Sequence, residues 1–494
     1  MHCFIATDPP NLKGAYVLME SNIILLFLVL FPMIGVIVSY LIGRENKTHR
    51  DSFIAVVTIT EFLILAYLLV TFQEKKEFLW KGFCSMGLYL KLDGFRLLFG
   101  LIVVFMWMMI TLFSREYFVY DKNRSGSYLF TLLILGATLG VFLSGNLVTI
   151  FLFLGILSIC IYIWIAKGQK SELPTAVLFA DSLTKSVVFG IITISSQVFL
   201  HDENLGKILL GLGIMVMFLG AFLAVLSTDL KRILFLSSIS QIGYILVGIG
   251  MQGIQGEHNA LAVRGTILHV LNYSLILLLF VMSAGVIVMH LHKSDLNCIR
   301  GFGREKPLLQ FCFGMGALGI MGIPLWNGYI SNTLLHESIV EHIKLLEALG
   351  KTEAANYKIA EWMFLFTGGL TIAYLLKLYV AIFIEKNPYR LEQVHDSKKY
   401  MSKMSIFAMV ASAVILPILG AFPYVTMDKL ADLGQEFMHG QVPIYSVHYF
   451  TFSYLKGALI SIVIGVVVYI VMIRFFLMKT DENGNKMYRK VWNK

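Results

Sequence analysis

The chain has 494 residues, 57% of them hydrophobic and 14% charged, with a mean hydropathy of +0.76. A soluble domain carries roughly 25% charged residues, so the composition excludes a soluble enzyme and points to a polytopic helical membrane protein. The net charge of +9 comes from Lys and Arg in short connections between apolar runs, which is a topology signal and not a nucleic-acid footprint.

In chain order, MHCFIATDPPNLKGAYVLME is neither basic nor apolar enough for a signal peptide. The apolar run at 22–43 is therefore read as an uncleaved first span, with Met1 and Met19 both open as starts. Further runs long enough to cross about 30 Å of hydrocarbon follow at about 51–72, 96–114, 127–144, 146–166, 175–200, 206–228, 231–252, 261–290, 308–335, 361–386, 402–424 and 453–478. The expected fold is all-α, with about 13 transmembrane helices. Basic residues gather after odd-numbered spans, such as Arg44, Lys47 and Arg50, then Lys231 and Arg232, then Lys293, Arg300, Arg304 and Lys306. That places the N-terminus outside and the C-terminus in the cytoplasm. The connection 73–95 breaks the pattern with Lys75, Lys76, Lys81 and Lys91. Cys3, Cys84, Cys160, Cys298 and Cys312 show no CxxC or Cys/His spacing, so no disulfide framework and no metal site is indicated. Nucleotide and electron-carrier motifs are lacking as well, and no cofactor is expected.

Several groups carry chemistry within the apolar runs. In LFADSLTKSVVFG, Asp181 and Lys185 stand one helical turn apart and share a face. Each charge alone costs roughly 2.5–3.5 kcal/mol at a helix centre. The pair is either a proton-relay element or an inert couple that neutralises a lysine, and the second reading is favoured because buried pairs need not conduct. In GIMGIPLWNGYISN, Gly319, Gly322, Pro324 and Gly328 fall mid-membrane, where they should break the helix; a kinked packing helix is the alternative. Freed carbonyls there require protein or a hydrated cavity around them. His269 can reach Tyr273 one turn on, as a structural group or a relay. Lys377 can snorkel, or pair with Tyr374 or a carboxylate. Glu61 has no evident partner on a helix read as peripheral, Asp229, Lys231 and Arg232 read as a solvated turn, and His336 and Glu337 read as exposed rim groups.

Taken in order, LKLDGFRLLFGLIV with SREYF, LPTAVLFADSLTKSVVFG, LAVLSTDLKRILFLSSISQIGYILVGIG and GIMGIPLWNGYISN resemble one family. It comprises the antiporter-like (proton-conducting) membrane subunits of complex I, Mrp antiporters and membrane-bound hydrogenases, and the likeness covers roughly residues 90–385. The resemblance implies an inverted-repeat antiporter-like fold, two five-helix repeats each with a broken helix, and a line of buried Lys, Glu and His. Against that pattern, the family's glutamate position holds Gly155, its buried lysine falls on Ile276 or Leu277, and its closing lysine or glutamate is Asn332. The first broken helix shrinks to IWIAKGQKSE, too short for two helices, leaving one broken helix in the chain. Lys185 keeps a family charge position, Asp181 would replace the missing glutamate as its partner, and pseudo-symmetry would set Lys377 opposite Lys185.

The implied division is N-terminal transmembrane helices at 1–114, a shortened first repeat at 115–200, a second repeat at 201–386, and C-terminal helices with a cytoplasmic tail at 387–494. The candidate ion pathway is Asp181, Lys185, His269 and Lys377, with Gly322, Pro324, Gly328 and Asn332 forming the break. The implied role is a non-catalytic subunit of a redox-driven proton or sodium translocating complex, its ion path partial or lost. Its partners would be other membrane subunits, with lipid or a neighbour filling the groove left by the missing helices. The rivals are a stand-alone secondary cation/proton antiporter and a structural partner in an inorganic-carbon uptake complex.

Overall fold

The computed structural model describes residues 23–72, 74–80, 87–117, 124–166, 173–387, 400–441, 443, 447–480 and 484–490. Met1, Met19, Cys3 and Cys84 lie outside them. Among the described residues eleven helices are long and apolar enough to cross a membrane. Two shorter apolar helices, Leu129–Phe142 and Pro307–Ile320, fall where spans were expected at 127–144 and 308–335. The protein is all-α and polytopic, and the expected count of about 13 is not reached by that criterion. The chain divides into two compact units, one of residues 1–111 with 118–190, the other of 112–117 with 191–494.

In the first unit, α1 (Ile23–Glu45) and α2 (Lys47–Val70) form a hairpin that turns at Asn46. The Asn46 side chain accepts from Thr48 N at 2.9 Å and His49 N at 3.2 Å, satisfying amides that the helix leaves free. The connection that follows contains an antiparallel ladder of β1 (Lys76–Trp80) and β2 (Leu88–Leu92). Leu88, Leu90 and Leu92 turn inward while Tyr89 and Lys91 are half-buried, the two-residue period of a strand. Lys91, which disturbed the charge pattern, pairs with Glu77 at 2.8 Å.

Asp93 then caps α3 (Gly94–Tyr117), accepting from Arg96 N at 2.9 Å and pairing with the Arg96 guanidinium. Arg96 Nε donates to Ser144 O at 3.0 Å, which pins this start to the turn between α4 (Arg124–Phe142) and α5 (Leu147–Ala166). α6 (Leu173–Thr193) follows α5 after six residues. A transmembrane helix needs about 20 residues, so no helix pair fits there.

In the second unit, α7 (Glu203–Leu226) and α8 (Leu230–Gln255) touch backbone to backbone. A Cβ on Gly213 would lie 2.7 Å from Val247 N, and one on Gly243 2.3 Å from Met217 N. Such close approach is how small residues join membrane helices. In the turn between them Arg232 is exposed, as expected of a solvated cluster, while Asp229 is half-buried and structural. Asp229 caps α8 through Arg232 N at 2.9 Å and takes the Ser294 hydroxyl, while Leu230 N donates to Ser294 O at 2.8 Å. α9 (Ala260–Leu291) is buried from Leu261 to Val288 and forms the centre of this unit. The short α10 (Leu296–Ile299) is held beside the Asp229 turn, Leu296 N donating to Thr228 O at 2.8 Å.

Around α9 stand α11 (Pro307–Ile320), α12 (Asn327–Ala348), α14 (Lys403–Ala421) and α15 (Met427–Gln435). α13 (Ala354–Tyr379) continues through a π-helical turn to Ile384, and α16 (Phe452–Val468) through another to Phe476. A small ladder of β3 (Met478–Thr480) and β4 (Lys486–Tyr488) closes the described chain.

Ahead of α7, His201 lies edge-on to His439 with ring centroids 5.6 Å apart. Burial, then the neighbouring His439, holds the His201 ring below its ordinary value. A depressed folded-state value means its stabilisation is complete above the unfolded value of roughly 6.5 and is lost as pH falls through the folded one. The melting temperature of the purified chain is expected to drop between about pH 7 and pH 5. His201→Phe should flatten part of that drop, and an unchanged slope would refute the assignment.

Candidate ion pathway

In the first unit the α6 pair forms as the spacing implies: Lys185 Nζ bonds the Asp181 carboxylate, with the side chains 5% and 7% exposed. Two aromatic clusters bracket it along α6. Phe179 meets Trp164 at 5.1 Å and Trp107 at 6.3 Å on one side. Phe189 meets Phe95, Phe99 and Phe142 at 5.5–5.9 Å on the other. Among the described residues the pair is buried, and each charge is bonded to the other. Gly155 lies on the exposed face of α5 with open space around it, so a carboxylate there would point away from this core.

The helix of Glu61 is peripheral as expected, with Val56, Leu63 and Tyr67 exposed, but Glu61 itself faces inward. It is fully buried and neither carboxylate oxygen has a hydrogen-bond partner. Its neighbours on α2 set its depth: Phe62 packs on Phe105, and Leu65 lies against Gly100. The same stretch of α3, from Phe99 to Trp107, carries rings that meet Phe189 and Phe179, which flank Asp181 and Lys185 along α6. Glu61 and the pair therefore sit at a similar level along α3.

In the second unit the helix breaks between Ile320 and Asn327, as the glycines and proline predict. Gly322 takes φ +68, a left-handed conformation that costs glycine nothing. A Cβ on Gly328 would fall 2.0 Å from Gly319 O, so only glycine lets the two arms meet. Pro324 stands inside the break, where its missing N–H interrupts no ladder.

A polar seam from α9 holds the first turns of α12. Asn272 Nδ2 donates to Asn327 O at 2.8 Å and to Ser331 Oγ at 3.1 Å, and Asn327 Nδ2 donates back to Asn272 Oδ1 at 3.1 Å. His269 Nδ1 lies 3.2 Å from Ser331 Oγ. This corrects the expected Tyr273 bond: the ring reaches across to the facing half-helix, not along its own.

On the other side of the break, Gly322, Asn332, Thr333 and His336 line a narrow cavity of about 40 Å³ with Gln241 and Tyr244 of α8. His336 Nε2 is 3.3 Å from Glu361 Oε1, and its Nδ1 is 3.4 Å from Glu337 Oε1. The expected rim exposure of His336 and Glu337 is wrong. They are 8% and 6% exposed, because α12 continues to Ala348 and Gly457 of α16 closes over the imidazole. Glu361, which the sequence did not single out, is 26% exposed at its side chain and connects the group to the surface.

Lys377 meets none of its expected partners. Nζ donates to Ala224 O at 3.1 Å, Val225 O at 2.6 Å and Ser227 O at 2.6 Å, the carbonyls at the end of α7. All three ammonium protons are used on a helix C-terminus whose partial negative charge favours a cation. Tyr374 instead lies 2.7 Å from Ser237 Oγ.

The chain thus combines apolar spans with buried charges, a broken helix and a polar cavity beside the break. The chain belongs to the family described as NADH:quinone oxidoreductase/Mrp antiporter, TM, which matches residues 50–349. It is 28% identical over 226 residues to hydrogenase-4 component B of Escherichia coli, covering 44% of this chain and 33% of that protein. It is 25% identical over 257 residues to NADH-ubiquinone oxidoreductase chain 5 of Aedes aegypti, covering 51% and 40%. The chain thus spans less than two thirds of the length of these relatives. Its fold is similar to that in the structure of the Mrp complex from Dietzia sp. DQ12-45-1b, with TM-score 0.74 and 17% identity over 91% of this chain and 56% of the matched one.

Proposed function

We propose that the chain is a membrane subunit of a redox-driven proton or sodium translocating complex, with a partial ion path confined to its second unit. One observation carries this reading. Both buried lysines named as pathway candidates are immobilised, Lys185 on Asp181 and Lys377 on three carbonyls, whereas Glu361, His336 and Glu337 lead to the cavity at the break. Past the break, Asn332, Ser331 and His269 would continue the route. Asp181 and Lys185 then serve packing, and Gly322, Pro324 and Gly328 create the opening.

The basic connections at 231–232 and 293–306 favour a cytoplasmic C-terminus and an outer-facing start of α13. The repeats would be 115–200, shortened, and 201–386, flanked by helices at 1–114 and 387–494. α5 presents Phe151, Ile159, Tyr162 and Ile165, each at least 59% exposed, as the face for a neighbouring subunit or lipid.

The test is ion flux per electron in the reconstituted complex. Glu361→Gln with His336→Gln is expected to lower that ratio several-fold with the complex still assembled. An unchanged ratio would leave a scaffold role. Sodium-for-proton exchange by the purified chain alone in proteoliposomes would favour the stand-alone antiporter.

A further inference from the structure

A cavity of about 460 Å³ opens where α13 and α16 end, lined by Arg300, Glu385, Lys386, Arg474, Asn485 and Lys486. Four cations face one carboxylate. Glu385 is already committed, its Oε2 lying 2.8 Å from Arg300 Nε and its Oε1 2.5 Å from Arg474 Nη1. Arg300 is 6% exposed, its Nη1 donates to Lys486 O at 2.7 Å, and its Nη2 is buried without a hydrogen-bond partner. The guanidinium is held over the Tyr488 ring at 5.1 Å, so it does not relax toward solvent. An unsatisfied donor on a fixed guanidinium, with Lys386 and Lys486 alongside, is the recognition chemistry of a phosphate group.

The surroundings identify which phosphate. Both apolar spans end here, at Ile384 and Phe476, which puts the cavity at the level where such helices would leave a bilayer. Ile384, Phe475 and Phe476 are 55%, 75% and 70% exposed beside the cavity. A free anion would have no use for this apolar border, whereas acyl chains would lie along it with the headgroup in the basic cavity.

We propose that this cavity binds the headgroup of an anionic phospholipid. The experiment uses the full chain purified in detergent and compares phosphatidylglycerol or cardiolipin, phosphatidylcholine and inorganic phosphate, read by thermal melting and native mass spectrometry. Anionic lipid should raise the melting temperature and leave one tightly retained lipid, while phosphatidylcholine does neither. Lys386→Ala with Lys486→Ala changes exposed side chains and leaves the Arg300–Glu385–Arg474 ion pairs in place, so its unliganded melting temperature should match wild type. That variant should lose the shift and the retained lipid. Equal shifts in wild type and variant would overturn the site. An equal effect of inorganic phosphate without lipid would overturn the lipid assignment.

Discussion

Asp181→Ala alone is expected to reduce the assembled protein sharply, and adding Lys185→Met is expected to restore it. Each side chain is more than nine-tenths buried, and each has the other as its ion-pair partner. Removing one leaves an uncompensated charge between two aromatic clusters, which costs roughly 3–5 kcal/mol. Against a total stability of about 5–15 kcal/mol, that is enough to remove most folded protein. Replacing both with apolar groups is often neutral, since the desolvation of two charges is recovered together. Ion flux per electron in the double variant should stay near wild type, because among the described residues each charge of the buried pair bonds the other. A double variant that assembles normally yet loses part of that ratio would make the pair a working relay.

The pair was legible in sequence because a helix enforces its own neighbours at four residues. The break was legible for a similar reason: Gly322, Pro324 and Gly328 act through local backbone geometry. The β1–β2 ladder also left its mark, the alternation in LYLKL, but lies in a stretch whose lysines drew the reading toward topology. What escaped depends on partners far along the chain. His336 sits at what a 308–335 span makes a helix end, and its burial requires α16, which carries no polar signal toward it. Asn272 is an ordinary residue until Asn327 and Ser331 arrive opposite. The inward face of Glu61 on a peripheral helix was hidden because its neighbours, Phe62 and Leu65, pack against another helix by shape alone.

Lys377 is the furthest from what sequence shows, since its partners are main-chain carbonyls up to 153 residues away and no side-chain pattern announces them. Lys377→Met is expected to destabilise the protein by about 2–4 kcal/mol, the balance of three charge-assisted hydrogen bonds lost against an ammonium no longer desolvated. The last carbonyls of α7 have no amide to accept from once the helix ends, and Lys377 is buried, so water does not readily take its place. Lys377→Gln should recover part of the loss, because its amide donates two hydrogen bonds where methionine donates none. A cap and a carrier differ in one readout. If Lys377 is a cap, the variants lower melting temperature and yield in the order methionine, glutamine, wild type, while ion flux per electron of the surviving complex stays constant. If Lys377→Gln keeps its melting temperature and loses flux, the lysine moves protons and its contact with α7 is one stop on their way.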